Sequence, residues 1–207
     1  MAIISDKYKF CFTHIIKTGG TTVTILLKEQ VDDLLLTNPL HSSIKNDLIN
    51  FPRIKDYFKF AYVRNPYDWL VSLYSYICMF PDHPDYKNIA NLSFYQFIEW
   101  LSDVGLKRDE NIPQPCYKTQ TDLLFVKDKL GVDSVLKFEN LCNDNNGSNL
   151  LSVFYNLHLD IPTNIPLTNK SERPLNWEKK YNLMTYKLVN KVFKDDFKNF
   201  KYVTHEY

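Results

Sequence analysis

Apolar and polar positions change period several times along this 207-residue chain. Residues 8–16 are dense in aromatic and β-branched side chains, as a strand requires; over 22–36 the spacing becomes helical, with Val23, Leu26, Leu27 and Val31 on one face. Residues 58–63 are nearly all apolar, which predicts a strand buried on both faces, and they run straight into a helix opened by Asn65 and Pro66. A second helix falls between these blocks, so the order is strand, helix, helix, strand, helix. Further on, 94–101 reads as an amphipathic helix started by Ser93, 123–126 and 134–138 as short strands, and 149–157 and 183–200 as helices. Residues 143–148 form a polar turn, and 162–174 a long loop that holds Lys170, Ser171 and Arg173.

Strands alternating with helices predict an α/β fold: a mainly parallel β-sheet flanked by helices, with ligands bound beyond the carboxyl ends of the strands. Two cations, Lys17 and Arg64, fall at such ends. No repeat or linker interrupts the chain, so 1–207 reads as one domain.

Composition narrows the function classes. Hydrophobic residues make up 44% and charged residues 24%, ordinary for a globular protein, and the net charge of +1 provides no overall field for gripping nucleic acid. Any anion must therefore meet a locally built site. No apolar run approaches the roughly 20 residues that span a bilayer, and 1–9 lacks the apolar stretch of a signal peptide, so a cytoplasmic protein without a membrane span is expected. Cys11, Cys78, Cys116 and Cys142 are far apart with no Cys-x-x-Cys pair, which argues against a metal site.

The segment Lys17-Thr18-Gly19-Gly20-Thr21-Thr22 joins the first strand to the first helix. Adjacent glycines let a chain fold tightly around an anion and aim amide N–H groups at it, and the helix adds its positive end. Thr18, Thr21 and Thr22 bring hydroxyl donors and Lys17 a mobile cation, which together make an oxyanion site. The alternative is a glycine-hinged turn whose lysine points to solvent. The lysine precedes the glycines, so this is not the Gly-x-x-x-x-Gly-Lys loop of nucleoside triphosphatases, and the second strand ends in Arg64 rather than in a magnesium-holding aspartate.

In Val63-Arg64-Asn65-Pro66-Tyr67-Asp68, Asn65 is placed to cap the helix, Pro66 to open it, and Asp68 to complete a capping box. Tyr67, Leu70, Val71, Tyr74 and Ile77 share one face, with Asp68, Ser72 and Ser75 on another. Arg64 and Ser72 thus form a second candidate anion site, unless Arg64 merely pairs with Asp68.

These two segments resemble the PAPS-dependent sulfotransferases, PAPS being 3′-phosphoadenosine 5′-phosphosulfate, and in particular the glycan O-sulfotransferase branch and its bacterial relatives. Phe12 to Thr22 resembles the family's 5′-phosphosulfate loop, and Phe60 to Tyr74 its 3′-phosphate segment. Fainter likeness continues through Gln120-Thr121-Asp122, Phe138-Glu139-Asn140-Leu141, Asn169-Lys170-Ser171 and Asp195-Asp196-Phe197. Ile16 stands where relatives often carry proline, and Trp69 where many carry arginine. The resemblance implies a P-loop-like fold and a metal-free enzyme that moves a sulfuryl group from PAPS to an acceptor hydroxyl, with a carbohydrate favoured. It implies that Lys17 is catalytic, that Thr18, Gly19, Gly20, Thr21, Thr22, Arg64 and Ser72 bind the nucleotide, and that Lys170 and Ser171 close over it.

The base is less determined. Relatives carry a histidine in the stretch occupied by His41, so the resemblance implies that His41 is the catalytic base; its plainer reading is a residue preceding a serine helix cap, and Glu139 is a rival base. The alternatives to sulfuryl transfer are a P-loop-related kinase or nucleotide hydrolase and a non-catalytic nucleotide binder. The 14 tyrosines and 14 phenylalanines suit a sugar, phenol or peptide pocket as well as a core, and do not choose among acceptors.

Overall fold

A computed structural model describes residues 2–37, 42–107, 117–141, 150–162, 165 and 176–205. The elements are, in chain order, β1 (Ala2–Ser5), β2 (Phe10–Thr13), α1 (Gly20–Lys28), β3 (Leu35–Leu36), α2 (Ile44–Asn50), a 3₁₀ turn (Pro52–Asp56), β4 (Phe58–Val63), α3 (Pro66–Met79), α4 (Tyr86–Ile89) and α5 (Phe94–Trp100). There follow a π-helical turn (Leu101–Gly105), α6 (Gln120–Leu124), β5 (Phe125–Val126), β6 (Lys129–Leu130), β7 (Ser134–Lys137), a 3₁₀ turn (Phe138–Asn140), α7 (Leu150–Asn156), a 3₁₀ turn (Trp177–Lys180), α8 (Leu183–Val192) and α9 (Lys194–Asn199). The chain divides into two compact units, 1–64 with 122–170 and 65–121 with 171–207.

The first unit holds a five-stranded sheet of order β3-β1-β2-β4-β7. It is mixed rather than mainly parallel: β2–β4 and β4–β7 run parallel, whereas β1 pairs antiparallel with both β2 and β3. The reason is local. The turn between β1 and β2 is too short for a crossover and can join only antiparallel neighbours. Ser5 Oγ accepts from the Tyr8 N–H at 3.0 Å and Asp33 accepts from Ser5 Oγ and the Lys7 N–H at 2.6 and 2.7 Å, so Tyr8 and Lys9 belong to a turn and the strand begins at Phe10. The helix expected over 22–36 stops at Lys28, and Leu35 and Leu36 join the sheet edge instead.

Side chains alternate across the strands. Ile3, Phe10, Phe12, Phe60, Tyr62 and Leu136 pack on one face with Val23, Leu26 and Leu27 of α1 and Leu150, Val153 and Phe154 of α7. Ala2, Ile4 and Cys11 face the other way, toward Ile54 and Tyr57, with Leu48 of α2 alongside. The α/β class and the flanking helices are therefore as expected. Burial pushes the Cys11 thiol up to about 12.

In the second unit, α3 is buried on all sides over its first turns, from Pro66 to Leu73. Asn65 Oδ1 accepts from the Tyr67 N–H at 3.0 Å, the expected cap. Tyr67, fully buried, stacks on Trp177 at 5.4 Å, meets Tyr181, Tyr186 and His205 edge-on, and bonds through its hydroxyl to Asn190. Ser93 and Gln96 form a capping box at the start of α5. The helix expected over 183–200 breaks at Phe193 into α8 and α9. Asp196 of α9 is buried and accepts from the backbone N–H groups of Gln120 and Thr121 at 3.0 and 2.7 Å. Among the described residues, no helix is long and apolar enough to cross a membrane.

Candidate anion site at the strand ends

The loop after β2 is shaped by backbone conformation before any ligand enters. Thr18, fully buried, donates its hydroxyl to the Ile15 carbonyl at 2.9 Å and closes a tight turn. Inside that turn Lys17 adopts φ 62° and Gly19, the residue that caps α1, adopts φ 86°. Glycine accepts such angles freely; a lysine held there stores on the order of 1–2 kcal/mol of strain. Strain of that kind persists only where neighbours enforce it.

Parallel pairing supplies the enforcing neighbour. Thr13 of β2 lies opposite Ala61 of β4, so the two strands release their chains at the same edge of the sheet. Arg64, the first residue past β4, is 3% exposed, and its Nη1 donates to the Lys17 carbonyl at 2.8 Å. On the other side of β4, Val63 pairs with Lys137, which sets Phe138 beside Arg64; the guanidinium lies over the Phe138 ring, 4.2 Å from its centroid.

Neighbouring side chains also crowd both glycines. A Cβ on Gly19 would stand 2.7 Å from Leu141 Cδ2 and 3.0 Å from Phe138 Cδ2. A Cβ on Gly20 would stand 2.6 Å from His14 Cγ, with Cδ2 and Nε2 of that ring nearer still. The His14 ring is itself stacked on Phe12, with centroids 5.9 Å apart and planes within 10°. Position 20 is therefore glycine because a histidine ring lies against the helix start, in addition to any demand made by a ligand.

Lys17, Thr18, Gly19, Gly20 and Arg64 thus come together at one sheet edge. Thr21 is exposed and Thr22 is 5% exposed, both in the first turn of α1, where the positive end of the helix favours an anion. Ser72 is 2% exposed and belongs to the second unit, on α3. Trp69, noted as a departure from the resembled family, is a core side chain edge-on to Phe193 at 5.9 Å. Glu139 is exposed in the turn after β7. His41, Lys170 and Ser171 lie outside the described residues. Phe138 and Leu141 were not singled out for this loop by the sequence pattern, which read 134–138 as a strand; the strand ends at Lys137 and the ring turns to Arg64.

Compared with known proteins, residues 1–203 match the family model described as "Sulfotransferase family". No curated protein and no solved structure matches the chain.

Proposed function

We propose that this chain, which belongs to the sulfotransferase family, uses the edge formed by the ends of β2 and β4 to take a sulfuryl group from PAPS and pass it to an acceptor hydroxyl, on a carbohydrate by preference. The observation that carries this reading is the bond from Arg64 to the Lys17 carbonyl at 2.8 Å, which brings a strained lysine and a buried arginine to one sheet edge. A nucleotide with phosphate groups at both its 3′ and 5′ positions needs two such cations near each other. In this reading 1–207 acts as one P-loop-like catalytic domain.

In the proposed reaction the acceptor oxygen attacks sulfur in line. The bond from sulfur to the bridging oxygen of the 5′-phosphosulfate breaks, and adenosine 3′,5′-bisphosphate leaves with the electron pair. Lys17 stabilises the charge that gathers on that bridging oxygen, and the amides of Gly19 to Thr22, with the threonine hydroxyls, hold the phosphosulfate oxygens. Arg64 and Ser72 hold the 3′-phosphate. His41 takes the acceptor's proton as the oxygen–sulfur bond forms, and Lys170 and Ser171 close over the nucleotide. No step calls for a metal ion.

The test is a thermal-shift comparison followed by transfer assays. Adenosine 3′,5′-bisphosphate without metal is expected to stabilise the protein, and labelled PAPS to donate to at least one member of a panel of glycans, phenols and peptides. Stabilisation by Mg-ATP alone would instead mark a kinase or nucleotide hydrolase. Binding of the bisphosphate with no transfer to any acceptor would mark a non-catalytic relative.

A further inference from the structure

Four contacts around the strand ends close on themselves. Arg64 Nη1 donates to the Lys17 carbonyl at 2.8 Å; the chain runs from Lys17 to Gly19; the α-carbon of Gly19 faces Phe138, whose Cδ2 would be 3.0 Å from a Cβ there; and the Phe138 ring lies 4.2 Å under the Arg64 guanidinium. We propose that Phe138 is a positioning residue that fixes Arg64 and the Lys17–Gly19 loop in one arrangement, so that the two cations of the site are set by a single aromatic ring. The inference rests on the reading of this edge as the donor-nucleotide site.

An arginine has several rotatable bonds, and a guanidinium left without a platform can turn away from the carbonyl it bonds; stacking on a ring face removes that freedom and adds an attraction that a planar cation gains from the ring's negative face. The bond from Arg64 is one of the restraints that hold Lys17 at φ 62°, so loosening Arg64 loosens the lysine as well. Gly19, at φ 86°, has packing contacts on its α-carbon side from Phe138 and Leu141, and both come from the segment just after β7. The likeness of Phe138-Glu139-Asn140-Leu141 to the resembled family thereby acquires a physical role on this chain: its two apolar residues floor the loop.

The experiment uses the whole chain in three single variants, Phe138→Leu, Phe138→Tyr and Arg64→Lys, and the double variant of Phe138→Leu with Arg64→Lys. Leucine keeps apolar volume without a ring face, whereas tyrosine keeps the face. Binding of adenosine 3′,5′-bisphosphate by calorimetry is expected to weaken by about fivefold or more in Phe138→Leu, the factor that one cation–π contact of roughly 1 kcal/mol supplies, and to stay within about twofold in Phe138→Tyr. Equal binding by wild type and Phe138→Leu overturns the proposal, as does an equal loss in the leucine and tyrosine variants. Urea unfolding without nucleotide provides the second measurement: Phe138→Leu and Arg64→Lys are expected to be non-additive by about threefold or more in the unfolding equilibrium. If the wild type does not bind the bisphosphate, the functional reading fails and this cycle alone decides, coupling upholding the positioning role and additivity refuting it.

Discussion

Replacing Gly20 by alanine separates what the fold demands of the loop from what a ligand demands. The new Cβ would stand 2.6 Å from His14 Cγ and nearer still to Cδ2 and Nε2, and carbon atoms pack comfortably at about 3.5–4.0 Å, so the ring must retreat by more than ~1.5 Å. It cannot do so freely. His14 is stacked on Phe12, and Phe12 is fully buried and stacked in turn on Phe60 at 4.9 Å. A contact this close falls in the upper part of the overpacking range, about 2–3 kcal/mol, and the gain of about 1 kcal/mol that alanine brings over glycine in a helix leaves a net loss of about 1–2 kcal/mol. For a chain of this length that corresponds to a fall in Tm of roughly 2–8 °C, readable by scanning fluorimetry. The companion variant is His14→Ala. In that background the clash is gone, and Gly20→Ala is expected to be neutral or slightly stabilising. If alanine at 20 destabilises just as much without the histidine ring, the packing account is wrong. If stability returns in the double variant while bisphosphate binding stays lost, Gly20 also serves close approach by the nucleotide.

Further variants test the proposed chemistry and two buried titratable groups. Lys17→Ala should retain the fold by circular dichroism and lose at least about a hundredfold in turnover, since a fixed charge at a leaving oxygen contributes on the order of 3 kcal/mol, and His41→Ala should be slow across roughly pH 6 to 8; wild-type rates in either would refute its role. Burial, ahead of the nearby Asp47 charge, raises Cys11 from 9.0 to about 12, so its stabilising share is whole below pH 9 and is lost as pH rises toward 12; Cys11→Ala should flatten that alkaline loss in urea titrations, and native Cys11 should resist maleimide at pH 8, as mass spectrometry of the peptide would show. Burial also raises Asp196 above its ordinary 3.8, against the pull of the Thr121 and Gln120 bonds, so its share is complete below 3.8 and declines as pH rises through the raised value. Asp196→Asn should therefore be less stable than wild type by about 1–3 kcal/mol at neutral pH, because one N–H loses its acceptor, with the gap widening on acidification to about pH 4; a narrowing gap would count against the buried carboxylate.

What could be read from the residues alone was whatever depends on local pattern. The nearly all-apolar run at 58–63 is β4 to the residue, the Asn65-Pro66 pair opens α3, and Ser93 starts α5. What could not be read depends on partners far along the chain. β1 is four residues long and gains its identity only by pairing with β2 and β3, while Leu35 and Leu36 continue the apolar spacing of α1 and were read as its last turn. The candidate site divides in the same way. Lys17, the glycines and Arg64 stand out by type and position. That Arg64 reaches a carbonyl, that Lys17 sits at positive φ, and that His14 dictates a glycine are tertiary facts with no local signal.

The cap that Asp196 provides for α6 has a bearing on how the chain folds during synthesis. The two backbone N–H groups it receives, at Gln120 and Thr121, lie 76 and 75 positions earlier. A ribosome adding about 5–20 residues per second exposes those groups for several seconds before their acceptor exists. Until then those two N–H groups lack this acceptor, and a nascent chain stalled short of Asp196 offers chaperones and proteases a helix start that is less well held than in the finished protein.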